Sequence, residues 1–392
     1  MKILNISTII PLKGLMLEND IIVIMQDYLK KKYNYKFTIA KSLPYVNRWL
    51  AKCSKKWGKY YEYQQKGVSD VQDYQTLVYP WIALPTSNFW LNYFLIPINW
   101  IWFQICLQRK FSVLTKKTDL FLAQNTIPDA VVAYWLNKKY SVPYIYNIRG
   151  DFNPYIPSLP FLKSVFKNAA DMITPNPTNY NNLKHSFNIE FIPHPVDSLF
   201  YNDDKKDFST IKLISICRLL SCKHIDWVIN ILASLNEKGY QFEYHIAGDG
   251  PELRNLKLLT TKLNLTNRIN FHGYLNKSDV NKLLKTSHIF IMPSYPETLG
   301  RAFLEAAASN CLCVGHKNTG VDGLFKHQES AIFVDKNTIA NEIETIFQKF
   351  SGDFFEPYIK NARHIVNQLT WEKIGGKYHE VYSNALKGTS NI

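Results

Sequence analysis

The chain has 392 residues, 46% of them hydrophobic and 20% charged, with a formal net charge of +14. Length gives an expectation of two domains, each able to bury its own core, and the hydrophobic fraction excludes a disordered or fibrous chain. Six scattered cysteines (Cys53, Cys106, Cys217, Cys222, Cys311 and Cys313) give neither a zinc-type CxxC pair nor a disulfide framework, which suits a reducing compartment.

In chain order, MKILNISTII is a short β-branched run without a signal-peptide cleavage site and too short to span a bilayer. A strand near Lys2–Ile9 leads through Pro11–Gly14 into a helical pattern, Ile21 to Lys32, and a second strand covers roughly Lys36–Ile39. Between Lys30 and Lys66 lie eleven basic residues and one acid, Glu62, so most of the charge excess is one local patch. Within it Val46, Trp49, Cys53, Trp57 and Tyr60/Tyr61 recur at helical spacing, with Arg48, Lys52, Lys55, Lys56 and Lys59 around the other faces. A basic helix with aromatic residues along one side reads as an interfacial segment on anionic lipid, or as an ordinary domain helix with a solvated face. Lys and aromatic residues also interleave in nucleic-acid binders, but no such motif accompanies them, and nucleic acid is not expected as a partner.

Residues 89–107 form the most apolar stretch, interrupted by Asn92, Pro97, Asn99 and Gln104; a buried or interface-dipping helix fits it better than a membrane span. Strands follow at Asp119–Gln124, Pro143–Ile148, Met172–Thr174 and Ile189–Ile192, with a helix around Ala130–Lys139. The polar stretch Tyr201–Thr210 reads as a linker. The alternation then restarts with strands at Lys212–Ile216, Phe242–Ala247, Ile269–Phe271, Ile289–Met292, Leu312–Val314 and Ala331–Val334. Helices begin near Cys222, Pro251, Ser278, Thr298 and Asn337, and a long helical pattern runs on from Trp371. Alternating strands and helices predict an α/β chain of two tandem Rossmann-like, doubly wound domains facing across a cleft, with residues 1–200 and 211–370 as the two domains.

The segment from Glu297 to Glu305, ETLGRAFLE, follows a predicted strand, where ligands of open α/β sheets gather. Gly300 admits close backbone approach, and the free N–H groups of the next helix make an anion site. Glu297 precedes that helix and Glu305 lies within its first turns, so the two carboxylates flank a phosphate site and suit a sugar on one side and a ribose on the other. The blander alternative is a capping Glu297 with a solvent-facing Glu305; the apolar context FLEAAA favours a buried, partnered Glu305. Arg218 and Lys223, at the exit of the first strand of the second half, can grip a pyrophosphate as a fork and a point charge, or serve merely as solvated loop residues. GDGP at Gly248–Pro251 is explained by a turn alone, and His194, His245, His272 and His288 read as core or strand-end residues. No Walker motif, HExxH or metal-spaced His pair occurs.

In order along the chain, ISICRLLSCK, the GDGP turn, RINFHGYLNKSDV and SHIFIMPSYPETLGRAFLEAAASNCLCVGHKNTGVDG resemble the nucleotide-sugar-binding domain of GT-B fold, family 4 retaining glycosyltransferases. More loosely, PLKGL resembles that family's first glycine loop, FIPHPVDSLF its domain junction, and WEKIGGKYHEVY its final helix, which returns to the N-terminal domain as residues 371–392; residues 40–118 contribute almost nothing. The resemblance implies that Arg218 and Lys223 bind the donor diphosphate, and that Thr298, Leu299 and Gly300 add backbone contacts. It implies that Glu297 holds the donor sugar, Glu305 the ribose and Tyr274-Leu275 the base, while Gly14 brings a loop to the phosphate. Arg149 stands where a donor-contacting His is common, and Gln124-Asn125 where a His-containing motif is usual. The implied enzyme is a metal-independent retaining glycosyltransferase without a cofactor, using a nucleotide-diphosphate sugar and a glycan or lipid-linked acceptor for cell-surface polysaccharide or glycolipid. It would work in the cytoplasm, peripheral on the inner face of the plasma membrane. The alternatives are a sugar-nucleotide epimerase or other enzyme of the same fold, or a degenerate nucleotide-sugar-binding partner at the membrane.

Overall fold

A computed structural model of the protein describes residues 1–10, 20–71, 74–83, 89–150 and 159–387. Two compact units emerge: one takes in Met1–Thr174, Asn179–Ile192 and the chain from Gly375 on, the other Pro175–Thr178 and Pro193–Ile374.

The first unit contains β1 (Lys2–Ser7), α1 (Asp20–Tyr33), β2 (Lys36–Pro44), α2 (Lys55–Lys66), β3 (Val68–Val71), β4 (Tyr74–Trp81), α3 (Phe89–Phe94), α4 (Ile96–Trp102) and α5 (Gln108–Thr115). It continues with β5 (Leu120–Ala123), α6 (Val131–Tyr140), β6 (Tyr144–Asn147), α7 (Pro160–Lys167) and β7 (Asp171–Thr174); α8 (Pro177–Leu183) then leads to β8 (Ile189–Phe191). The eight strands form one sheet in the order β3-β4-β2-β1-β5-β6-β7-β8, parallel except for β3 against β4. Strands β5 and β6 are buried at every residue, as helices on both faces require. The edge pair β3–β4 lies in the stretch from which no strand was expected, and it carries no Asn-Gly or Asp-Gly hairpin signal.

The basic segment departs from one continuous helix. A short 3-10 turn, Leu50–Lys52, ends before Ser54, whose extended backbone and hydroxyl, accepting from Trp57 N at 3.1 Å, start α2 afresh. Val46 and Tyr60 consequently turn inward while Trp49 stays exposed, so the aromatic residues do not share one face. Arg48, Lys52, Lys55, Lys56 and Lys59 are all exposed, and Trp57 is half-buried. Lys41 does not belong to the surface patch. It is buried on β2, where its ammonium donates to Thr8 O and faces the carboxylate of Asp129. Burial lowers Lys41 to about 8 and raises Asp129 to about 7, the latter held by Thr8 N (2.9 Å) and Thr8 Oγ1 (3.1 Å).

The second unit holds β9 (Ile211–Ile216), α9 (Ile225–Glu237), β10 (Phe242–Ala247), α10 (Leu253–Lys262), β11 (Ile269–Gly273), α11 (Lys277–Thr286) and β12 (Ile289–Met292). After them come α12 (Arg301–Ala308), β13 (Leu312–His316), β14 (Ile332–Val334), α13 (Ile339–Gln348) and α14 (Gly352–Val366). Its six-stranded parallel sheet runs β11-β10-β9-β12-β13-β14, so the strand order reverses between β9 and β12. The polar stretch expected as a linker, residues 201–210, instead packs onto this unit. Asn202 N donates to Ala308 O at 3.2 Å, and the Phe208 ring lies against His288, Phe350 and Phe355. An aromatic side chain packed against three rings outweighs the polarity of its neighbours.

The closing helix α15 (Trp371–Lys387) joins the first unit from Gly375 on. His379 stacks on Tyr33 at 4.0 Å and its Nδ1 meets Tyr35 Oη at 2.5 Å. A Cβ at Gly375 would stand 2.3 Å from the Tyr28 ring. Gly375→Ala is therefore expected to lose about 1–3 kcal/mol of stability, read from urea unfolding; an unchanged midpoint would show that α15 is not held closely at this position.

Candidate active site

Ligands of open α/β sheets bind beyond the strands' carboxyl ends where strand order reverses. In the second unit that point lies between β9 and β12, and the chain leaving each strand supplies the expected residues. After β9 come Arg218, exposed, and Lys223, which closes a 3-10 turn (Ser221–Lys223) before α9. After β12 comes Glu297. The two loops meet in an ion pair: Lys223 Nζ lies 2.6 Å from Glu297 Oε2, with side chains only 16% and 13% exposed. Ser294 Oγ bridges them, accepting from Lys223 Nζ at 3.1 Å and donating to Glu297 Oε2 at 3.1 Å. The remaining oxygen, Oε1, accepts from Thr298 N at 3.1 Å.

The backbone of Glu297 is clamped as firmly as its carboxylate. Its N–H donates to Thr319 Oγ1 and its carbonyl accepts from the same hydroxyl, both at 2.8 Å, while Gly320 N donates to that carbonyl at 2.9 Å. Gly320 has φ +62°, and a Cβ there would sit 3.0 Å from Glu297 Cγ. Ser294, Thr319 and Gly320 thus position Glu297, a role sequence reasoning did not assign them. The available signal was the small, glycine-bearing NTG after β13.

Gly300, at φ +71°, is the N-cap of α12; a Cβ there would meet the Phe303 ring at 2.7 Å, so the ring closes directly over the turn. The backbone N–H groups at the start of α12 make an anion-binding end beside Glu297. Thr298 is half-buried, Leu299 is buried, and Glu305 is half-buried with Oε1 at 3.7 Å from Arg301. At the end of β11, Gly273 turns at φ +66°, leaving Tyr274 81% exposed and Leu275 half-buried. Gly248, at φ +144°, accommodates the carbonyl of Cys217, which a Cβ would strike at 1.8 Å. Burial raises the Cys217 thiol to about 12, keeping it protonated beside Lys223.

Of the residues expected in the first unit, Gly14 lies outside the described residues. Arg149 is half-buried beyond β6, where its Nε donates to Gln124 Oε1 at 2.6 Å and its guanidinium also bonds Tyr378. Gln124 Nε2 in turn donates to Asn5 Oδ1 at 2.9 Å, and Asn125 Nδ2 to Thr8 Oγ1 at 2.9 Å. Arg149, Gln124 and Asn5 thus form one polar network at the carboxyl edge of that sheet, and Asn125 a separate bond to Thr8.

Residues 202–364 match the family described as Glycosyl transferases group 1. Among curated proteins, the chain is 26% identical over 200 residues to a component of human phosphatidylinositol N-acetylglucosaminyltransferase, covering 50% of this chain and 40% of that protein. It is 26% identical over 185 residues to the putative colanic acid biosynthesis glycosyltransferase WcaL of Escherichia coli, covering 45% and 43%. The chain thus spans less than half the length of these relatives. Over nearly its whole length it shares the GT-B fold of solved glycosyltransferases. Against Anabaena Alr3699/HepE in complex with UDP the TM-score is 0.69 at 17% identity, covering 98% and 100% of the two chains. Against sucrose-phosphate synthase from Thermosynechococcus elongatus it is 0.71 at 15% identity, covering 99% of each. The stretch that carries the Lys223–Glu297 pair is thus similar to the group 1 glycosyl transferases.

Proposed function

We propose that the protein transfers a sugar from a nucleotide-diphosphate sugar to a glycan or lipid-linked acceptor with retention of anomeric configuration. The observation that carries this reading is the Lys223–Glu297 pair, set at the β9/β12 switch point beside the amino end of α12. The UDP and glucose in structures of Alr3699/HepE support a nucleotide sugar as donor. Curated relatives named for glycolipid and colanic acid synthesis support a cell-surface product.

Breaking the anomeric C–O bond leaves an oxocarbenium-like centre and a nucleoside diphosphate that takes the bonding electron pair. Lys223, Arg218 and the α12 N–H groups meet that developing charge, and such preorganised groups supply the largest share of many rate enhancements. Glu297 holds sugar hydroxyls near the reacting carbon and Glu305 the ribose. The acceptor hydroxyl attacks from the leaving-group face and gives its proton to the departing phosphate oxygen, forming the new glycosidic bond with retention.

No metal is needed in this scheme, because fixed cations do the neutralising. Turnover of the donor identified from a panel of UDP-, GDP- and ADP-sugars is expected to persist in EDTA at undiminished rate. Loss of activity on chelation, restored by a divalent cation, would contradict metal independence, and no turnover with any donor would contradict the transferase reading.

Arg48, Lys52, Lys55, Lys56 and Lys59, exposed beside Trp49 and Trp57, suit the anionic inner face of the plasma membrane, on the cytoplasmic side. Among the described residues no helix is long and apolar enough to cross a membrane. Sedimentation with anionic but not zwitterionic vesicles is the expected result; equal, negligible binding to both would remove the membrane from the account.

A further inference from the structure

The helical segment from Phe89 to Thr115 is apolar on two opposite sides. Ile96 and Phe103 turn into the core at 5% and 1% exposure, with Asn99 bonding Ile82 between them. Phe94, Ile98, Ile101 and Ile105, at spacings of four, three and four residues, face outward at 50–76% exposure. One exposed apolar side chain needs no explanation, but four along one helical stripe form a patch.

Beside the stripe lies a cavity of about 540 Å³, within the range of small-molecule sites, roughly 300–1,000 Å³. Tyr93, Phe94, Pro97 and Trp100 form one side of it, and Tyr134, Trp135 and Phe161, from α6 and α7, the other. Trp100 and Trp135 meet at 4.9 Å. Phe94 belongs to both stripe and cavity, so the opening is reached across apolar surface. Among the described residues the one charged lining residue is Lys138, exposed, with Nζ 2.7 Å from Asn168 Oδ1 and over the Tyr134 ring. The described helices that wall the opening carry charge of a single sign. Residues 89–117, α6 and α7 contain no Asp or Glu, whereas Lys138, Lys139, Lys163 and Lys167 are exposed there.

We infer that this cavity binds the hydrocarbon chain of an anionic amphiphile, with its head at Lys138. An apolar, aromatic-walled cavity takes alkyl chain without unpaired polar groups, and Lys138, on helices that carry no acid, selects an anionic head over a cationic or zwitterionic one. Chain binding here is read without sugar turnover, so the inference holds or fails independently of the transferase reading.

The test uses ω-bromododecanoate below its micelle concentration, with bromine quenching the fluorescence of Trp100 and Trp135. Saturable quenching is expected from the wild type. Phe94→Asp, at an exposed position that folding tolerates, should weaken it about tenfold or more, the loss of one aromatic contact. Lys138→Glu should weaken it about fivefold. Quenching that does not saturate, that neither variant weakens, or that the ω-bromododecyl trimethylammonium cation produces equally would overturn the inference. Unchanged melting curves of the variants separate loss of binding from loss of fold.

Discussion

Lys223→Met is expected to lower kcat for sugar transfer about 10²–10³-fold, the cost of removing one preorganised group from developing charge. Methionine keeps the stem and discards the ammonium, so Ser294 and Glu297 lose the charge that joins the two loops. Glu297→Gln keeps the shape of the carboxylate and loses its charge, and it should fall comparably because the pair acts as a unit. The double variant should then be little worse than either single one. Lys223→Arg should recover only part of the rate, since a planar fork does not replace a point charge between Ser294 Oγ and Glu297 Oε2. Steady-state kinetics with the preferred donor read these outcomes; wild-type kcat in Lys223→Met would remove the lysine from the chemistry.

The second large effect is on stability in acid. His288 is buried, and it is locked as a neutral tautomer. Its Nδ1 accepts from Lys212 N at 3.1 Å, and its Nε2 donates to Asp207 O at 2.8 Å. Phe208 and Phe350 cover the ring, and Lys206 and Lys212 are the nearby cations, with Asp207 opposing them. Burial first, then Lys206, lowers His288 from 6.5 to about 4. Between those values the unfolded chain binds more protons than the folded one, so stability is complete above pH 6.5 and is lost as pH falls towards 4. A depression of that size corresponds to about 3 kcal/mol. Urea unfolding at stepped pH should show this fall in the wild type and a flatter acid limb in His288→Gln, which does not titrate there. Parallel curves for the two proteins would contradict the assignment.

The sequence made the strand–helix alternation legible because buried parallel strands are short apolar runs, such as IKLISI and IFIM, bounded by polar turns. Glu297 and the β9 cations were legible because they follow strand ends, where chemistry gathers. Their direct pairing was not: 74 residues separate Lys223 from Glu297, and the contact depends on β12 lying beside β9. The clamp by Thr319 and Gly320 was hidden for the same reason, since it is made by a third loop. Lys41 misled because a charge count does not register burial; its anionic neighbour Asp129 lies far along the chain, just after β5. The break at Ser54 was within reach, because Ser before a helical run is an N-cap signal, but the aromatic spacing across it suggested continuity.

The central claim is that Arg218 and Lys223 make the second unit a nucleoside-diphosphate site. Thermal unfolding with UDP, GDP and ADP measures it most directly. A ligand at 100 times its Kd adds about 2.7 kcal/mol, so the recognised diphosphate should raise the wild-type Tm distinctly. The double variant Arg218→Met/Lys223→Met should melt at the same temperature with and without it. A wild type unmoved by all three diphosphates, or a double variant that keeps the full shift, would contradict the account.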